Sequence, residues 1–452
     1  MFCIILCSLV WSAASDRDQA TETAIASDSI IAIIPQTSQR QGEYHVLYIV
    51  ENDTEGDKKA SPVTFKSLTV TNPPEQLVHD FSPNGEAGLY SRMTARDPQN
   101  FHVMVSTGSG TGQTINVWEQ LLKPFLDLVG GDAMQKYQLH FTASETSISD
   151  FTRAVLLPQA NAGVVQSLVL LSGDGGLVDV ANTLLSQPHS QQYRKPSIAI
   201  LPLGTGNALA HSSGITKDKT LGLSSLVCGS PKEIPLFSAT FSPGARLLAN
   251  EAREEVELPT HDNTPTCHGA VVCSWGLHAG LVADSDTAHY RQFGAERFQM
   301  AAKEALYPAD GSLPHAYRGA VSIMRSGSQE WVKLDRIEHA YVLATLVSQL
   351  ERGFHISPAS QPLDGKLKLI DFGPMSGDEV MQLLTGAYQG GKHVEDDRVS
   401  YQDILGLRIE FDEQDARWRR VCIDGKIVRV ELGGWVEVTN GAGEGLVDLV
   451  AI

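Results

Sequence analysis

Over the first hundred residues, short apolar runs alternate with polar turns. Ser29-Ile-Ile-Ala-Ile-Ile34, Tyr44-His-Val-Leu-Tyr-Ile-Val50 and Val63-Thr-Phe-Lys-Ser-Leu-Thr-Val70 read as strands of a small β-rich unit between about 29 and 95. The period changes after Asp97-Pro98. Phe101-His-Val-Met-Val105 enters the loop Ser106-Thr-Gly-Ser-Gly-Thr-Gly112, followed by helical spacing through Trp118, Leu121, Leu122, Phe125 and Leu128. The theme repeats with a strand near Tyr137 to Thr142, a strand from Val164 to Leu171, and a helix carrying Leu177, Val180, Ala181, Leu184 and Leu185 on one face. Ile198 to Leu201 supplies the next strand. Strand, loop, helix in succession predicts a parallel α/β domain. From about Glu233 the runs shorten, as in Ile234-Pro-Leu-Phe237, Gly269-Ala-Val-Val-Cys-Ser-Trp275 and Lys366-Leu-Lys-Leu-Ile-Asp-Phe372, which predicts antiparallel strands. Ala245 to Thr266 is polar and acidic and reads as a mobile hairpin tip. The expected order is a small β-rich N-terminal region (1–97), an α/β domain (98–228) and a β-rich antiparallel sandwich domain (229–452).

Composition narrows the classes. A chain of 452 residues with 42% hydrophobic content can bury substantial cores, and its formal charge of −18 opposes bulk attraction to nucleic acid or anionic lipid. The densest basic cluster, Arg417-Trp-Arg-Arg420, is too short to reverse that. Six scattered cysteines without a CxxC pair give neither a zinc site nor a disulfide framework and fit a reducing compartment. The apolar run Phe2 to Trp11, followed by Ala13-Ala14-Ser15, loosely has the form of a signal peptide. No basic residue precedes it and it is too short to span a bilayer, so a buried strand is the preferred reading. The sequon Asn52-Asp53-Thr54 matters only in a secreted protein.

The chemistry concentrates in two stretches, Leu168-Val-Leu-Leu-Ser-Gly-Asp-Gly-Gly-Leu-Val-Asp179 and Ile198-Ala-Ile-Leu-Pro-Leu-Gly-Thr-Gly-Asn-Ala-Leu209. Each is an apolar strand that breaks into glycines and then turns helical, the form of a phosphate-cradling loop. Gly173, Gly175 and Gly176 free backbone amides to point at an anion, and Gly204, Thr205, Gly206 and Asn207 supply more. Asp174 stands among them, where a bound phosphate would repel it, so either Mg²⁺ binding or proton abstraction from a hydroxyl has to explain it. Two such loops after consecutive strands point to one nucleotide site, which makes the α/β domain a nucleotide-binding one.

These residues carry a resemblance. Ser172-Gly-Asp-Gly175 and Leu201-Pro-Leu-Gly-Thr-Gly-Asn-Ala-Leu-Ala210 resemble the SGDG and LPxGTGNxLA signatures of the diacylglycerol kinase superfamily of lipid kinases. Ser274-Trp-Gly276, Ala283-Asp-Ser-Asp286 and Tyr290-Arg-Gln-Phe-Gly-Ala-Glu-Arg-Phe298 are similar, in the same order, to a segment of its sphingosine kinase branch. Tyr317-Arg318-Gly319, Ile423-Asp-Gly425 and, more loosely, Gly391-Lys-His393 follow. The resemblance covers about residues 100 to 435.

It implies an ATP- and Mg²⁺-dependent kinase with Asp174 as general base. ATP would be held by the loop of Ser106, Gly110 and Gly112, by Thr142, Ser172, Gly173, Gly175, Gly176 and Gly204 to Asn207, by Arg291 and Arg297, and by Asp424 and Gly425. Asp284 or Asp286 would bind the polar head of a sphingoid base. The motif pattern favours Asp286. Helical spacing favours Asp284, seven residues and two turns from Arg291 on an unbroken helix. Arg297, six beyond Arg291, falls about 120° off that face unless Gly294 interrupts the helix. His278, His355 and His393 are assigned to neither catalysis nor metal.

Three positions depart from the family pattern. Ser106 stands where an Asn is usual, Asp179 replaces a Glu behind Asp174 at the substrate side, and Lys426 replaces a Glu, reversing a charge near the nucleotide site. The implied protein is a cytoplasmic, membrane-peripheral lipid kinase for sphingoid long-chain bases, with a lipid partner and no nucleic acid. Alternatives are a ceramide or diacylglycerol kinase, a soluble kinase such as NAD kinase, which shares a GDG loop but against which the second-domain matches argue, and a catalytically degenerate lipid-binding protein.

Overall fold

A computed structural model describes residues 2–5, 8–12, 22–36, 42–52, 62–83, 89–94, 100–110, 112–130, 137–294 and 296–452. The α/β domain is built on strands β1 (Phe101–Val105), β2 (Gln138–Phe141), β3 (Ser167–Ser172) and β4 (Ser197–Pro202). They are parallel and lie in the order β4-β3-β1-β2. Every residue of β1, β3 and β4 is buried, because both sheet faces are covered. Alternate side chains divide between the faces. Val103, Val105, Val169, Leu171, Ala199 and Leu201 join Trp118 and Phe125 in one core. Met104, Leu168, Leu170, Ile198 and Ile200 join Leu177, Val180 and Leu184 of helix α1 (Asp174–Leu185) in the other.

From β1 the sheet grows to β2 on one side and to β3 on the other. Loops leaving the carboxyl ends of β1 and β3 therefore meet at a switch point, where open α/β sheets form binding crevices. The Ser106 N–H donates to the Leu171 carbonyl at 3.0 Å across that point.

The N-terminal unit has a legible structural role. Its antiparallel strands Ile30–Pro35, Glu43–Glu51 and Val63–Thr71 cover one face of the α/β sheet. Ile31, Ala32, Ile34, Leu47 and Ile49 share the core of Val103 and Trp118, and Phe65 meets Phe125 edge-on at 5.8 Å. The apolar run at the start forms two strands, Phe2–Ile5 and Ser8–Ser12, paired antiparallel. Ala13 to Ser15, Asp53 and Thr54 of the sequon, and Asp97-Pro98 lie outside the described residues.

The β-rich antiparallel domain takes the form of one continuous fifteen-stranded sheet. Phe237, Trp275, Val321, Val342, Leu369, Ile409 and Val438, from strands spread across it, share one core, so the sheet curls on itself. The site uses its strands β5 (Thr264–Gly269), β6 (Val272–Gly276), β7 (Tyr341–Thr345), β8 (Arg420–Ile423) and β9 (Lys426–Arg429). It also uses helices α2 (Ala208–Ser212), α3 (Leu277–Ser285), α4 (Ala288–Arg291), α5 (Glu296–Leu306) and α6 (Gly377–Tyr388).

Two expectations are corrected. Asp448–Ala451, assigned to the second domain, pairs in parallel with β4 of the first, where Leu449 fills one core and Val450 the other. The acidic tip between Arg246–Ala249 and Glu254–Glu257 is docked: three successive left-handed residues, Asn250, Glu251 and Ala252, turn the chain, and the Glu251 carboxylate accepts the Ala288 N–H at 2.8 Å. Among the described residues no helix is long and apolar enough to cross a membrane.

Candidate active site

Asp174 is the first residue of α1, capped by Gly173. Its carboxylate accepts the Leu209 N–H at 2.9 Å and the Ala210 N–H at 3.4 Å from the first turn of α2, so each of the two glycine loops contributes to holding it. Burial pushes its carboxyl up to about 6, and these amides limit the rise by stabilising the anion. The loops touch at glycine: a Cβ on Gly204 would stand 2.5 Å from the Gly173 Cα, and one on Gly173 would stand 2.9 Å from the Gly204 Cα. Asn207, in the left-handed region at φ 52°, spends its carboxamide on its own loop. It accepts the Gly204 N–H at 2.9 Å and donates to the Gly204 carbonyl at 2.9 Å and the Pro202 carbonyl at 3.2 Å. Thr205 and Gly206 line the cavity beyond it.

The third loop stands behind these two. The Ser109 hydroxyl bonds to the Ser106 hydroxyl at 2.8 Å and to the Ser172 hydroxyl at 3.3 Å, and the Thr107 N–H donates to the Thr142 hydroxyl at 2.9 Å. Gly110 has φ 54°, and a Cβ there would stand 2.1 Å from the Leu203 carbonyl oxygen, so only glycine fits. Ser106, Gly110, Gly112, Thr142, Ser172 and Gly176 gather beside the crevice without lining its main cavity.

That cavity, of about 1010 Å³, runs between the two domains. One end is walled by Gly173, Asp174, Gly175 and Gly204 to Asn207, facing Asp424 and Gly425. Asp424 and Gly425, both with positive φ, form the two-residue turn between β8 and β9, the geometry an Asp-Gly pair supplies. The Asp424 carboxylate accepts the N–H groups of Ala270, Val271 and Val272 at 2.6, 3.0 and 2.6 Å, while burial pushes it up to about 6. The other end is apolar, with Leu281, Phe298, Leu350, Phe354, Leu384 and Tyr388 among its walls. Between them stands His278, held neutral by burial, which pushes it down to about 4, with Nδ1 2.7 Å from the Ser274 hydroxyl.

The remaining expected residues separate. α3 ends at Ser285, so the unbroken helix that favoured Asp284 does not exist. Asp284 turns away to pair with Arg417 at 2.9 Å and Arg420 at 2.8 Å, whereas Asp286 lines the cavity with Arg297, whose Nη1 lies 3.3 Å from it. The Arg291 side chain lies outside the described positions. Asp179 does not reach the cavity wall; its carboxylate is held by Lys426 Nζ at 2.6 Å.

Comparison with known proteins matches this arrangement. Residues 100–239 match the diacylglycerol kinase catalytic domain. The chain is 22% identical to mouse sphingosine kinase 1 over 365 residues, 73% of this chain and 86% of that one. It is 28% identical to human sphingosine kinase 2 over 166 residues, which spans 35% of this chain but only 21% of that protein. A solved structure from Bacillus anthracis assigned to the diacylglycerol kinases superposes with a TM-score of 0.51 at 13% identity, covering 79% of this chain and 97% of that one, and so shares the fold. Residues 100–239 thus carry a diacylglycerol kinase-type catalytic domain, and the chain as a whole is similar to the sphingosine kinases.

Within this diacylglycerol kinase-type fold, two groups of site residues escape a reading by motif. The α6 positions Met381, Leu384, Thr385 and Tyr388 line the cavity, and their helical spacing was the only signal, one shared with any amphipathic helix. The Ala270 to Val272 amides that hold Asp424 carry no side-chain signature at all. Among the described residues no group of three or more His, Cys, Asp and Glu side chains is placed to hold a metal, and the Asp174 and Asp424 oxygens are engaged by amides. The described residues do not form a protein-built Mg²⁺ cage. Such an ion would come chelated by the nucleotide phosphates, its usual mode in kinases.

Proposed function

We propose that this lipid kinase transfers the γ-phosphate of ATP to the primary hydroxyl of a sphingoid long-chain base. The observation that carries the reading is that one cavity has a buried carboxylate between two glycine loops at one end and an apolar chamber at the other. ATP lies with its phosphates on the Gly173 to Gly176 and Gly204 to Asn207 loops. The lipid tail fills the apolar end, which brings the head group to Asp174. As the hydroxyl oxygen bonds to the γ-phosphorus, its proton passes to an Asp174 oxygen, the bond to the bridging oxygen breaks and ADP leaves. A carboxyl near 6 is mostly ionised at neutral pH and basic enough to accept that proton. Arg297, and by resemblance Arg291, offset charge on the transferring group. Asp286, also on the cavity wall, supplies the negative charge that an amine head group requires once Arg297, which contacts it at 3.3 Å, turns to the phosphate, and this favours a free base over the uncharged heads of ceramide and diacylglycerol.

The acceptor enters from a membrane surface to which the protein binds peripherally. Tyr307, Met381 and Tyr388 line the cavity and are 45%, 43% and 50% exposed, an apolar rim that suits docking without net positive charge. Liposome co-sedimentation independent of anionic lipid content fits this route; binding confined to anionic vesicles contradicts it. The test of the chemistry is labelled phosphate transfer from Mg·ATP to sphingosine by wild type and Asp174→Asn. The variant is expected to lose about 10²–10⁴-fold in kcat while still binding ATP. Undiminished transfer by the variant removes Asp174 as the base, and ATP binding without transfer by wild type to any lipid favours a degenerate binding protein.

A further inference from the structure

Helix α1 begins with Asp174 and carries Asp179 and Asn182 farther along, and both reach the β-rich domain. Asn182 makes a reciprocal pair of hydrogen bonds with the backbone of β5: its Nδ2 donates to the His268 carbonyl at 2.9 Å, and its Oδ1 accepts the His268 N–H at 2.9 Å. Asp179 meets Lys426 at 2.6 Å, immediately after the Asp424-Gly425 turn. That turn is anchored from the other side by the three amides on Asp424. The helix that starts at the general base and the turn that faces it across the cleft are thus tied by a charge contact behind the cavity wall. Neither Asp179 nor Lys426 lines the cavity, and both are partly shielded, with side-chain exposures of 20% and 36%.

We propose that Lys426 is a positioning residue for phosphoryl transfer, its ion pair with Asp179 fixing the Asp424 turn against α1 and so setting where Asp174 stands relative to the acceptor wall. The contact is specific in charge rather than merely filling space. Burial opposes the Lys426 ammonium, yet Asp179, joined by Cys267 of β5 and Asp424 of its own turn, carries its pKa above the ordinary value. Asp179 and Asp424 also explain why an acidic residue at 426 would be unfavourable here: it would join them in one partly buried cluster with no cation among them. A displacement of reacting groups by about 1 Å can cost about 10²-fold in rate without touching substrate binding.

This inference rests on the reading of Asp174 as the base of a lipid kinase, and a charge swap separates the two. Lys426→Glu and Asp179→Lys are each expected to lower kcat by about 10–10²-fold with the ATP KM within about twofold, because a positioning contact acts on the reacting geometry rather than on nucleotide affinity. The double variant, which restores opposite charges in reversed order, is expected to recover most of the loss, and Lys426→Arg to retain activity. Hydrogen exchange of the Gly425 to Ile427 amides reads the same contact without turnover: faster in each single variant, near wild type in the double. Losses that simply multiply in the double variant, together with exchange that does not recover, overturn the proposal. A wild type that transfers phosphate to no acceptor overturns the kinase reading instead, and the exchange pattern then decides the clasp on its own.

Discussion

The two ends of the cavity are made differently. At the end proposed for phosphate, the chain from Gly173 to Ala210 supplies the carboxylate proposed as base, the glycines and the amides that hold it, and the loops meet by close backbone approach and by side chains bonded to backbone groups. At the acceptor end, the wall comes from α3, α5, the segment around Leu350 and α6, and it is made of side chains. A site made of backbone tolerates few residue types, so it leaves motifs in the sequence. One made of apolar side chains on helices tolerates many and leaves almost none.

The sharpest way to break the comparison is to put a methyl group into the backbone-built end. Gly204→Ala is expected to destabilise by about 1–3 kcal/mol, since its Cβ would stand 2.5 Å from the Gly173 Cα. Gly175→Ala meets nothing within 4 Å, lies within α1, and is expected to gain about 0.5–1 kcal/mol. Denaturant unfolding measures both, and equal effects at the two positions would deny that the loops are in glycine-only contact.

At the side-chain end, Asp286→Asn is expected to raise the KM for a free sphingoid base about tenfold with kcat little changed. Asp284→Asn should leave that KM alone and instead lower the unfolding temperature, because it breaks the pairs with Arg417 and Arg420. Steady-state kinetics on the two variants distinguishes the residues; a KM effect at Asp284 alone would reverse their assignment.

The smallest effect near neutrality is in pH. A carboxyl raised to about 6 is ionised above that value and protonated below it, so kcat/KM should halve near pH 6 and fall further as pH drops. Because Asp424 is also raised to about 6 and faces the same cleft, the limb reports the pair rather than one group. A flat profile down to pH 5 would remove the raised carboxylate from the mechanism.

What the sequence revealed follows the same division. The glycine loops and the parallel strands beneath them are legible because positive φ at Gly110 and Gly112, close Cα approach at Gly173 and Gly204, and buried strands each demand particular residues, and Asp174 is legible as the one carboxylate among those glycines. Asp284 and Asp286 are not separable by spacing, because the helix that would decide between them stops at Ser285. Asp448–Ala451 looks like the end of the second domain and is a strand of the first, since one carboxylate and three apolar residues carry no record of the sheet they join. Lys426 reads as a lone charge reversal until its partner is seen at Asp179, 247 residues earlier in the chain.

The most direct test of the account is a panel of acceptors presented in the same neutral vesicles, with labelled phosphate transfer measured for sphingosine, dihydrosphingosine, ceramide and diacylglycerol. A kcat/KM at least about tenfold higher for the two free bases is the predicted result, since only they bring an amine to Asp286. Equal or faster transfer to diacylglycerol or ceramide would contradict it and assign the apolar chamber to an acceptor with an uncharged head.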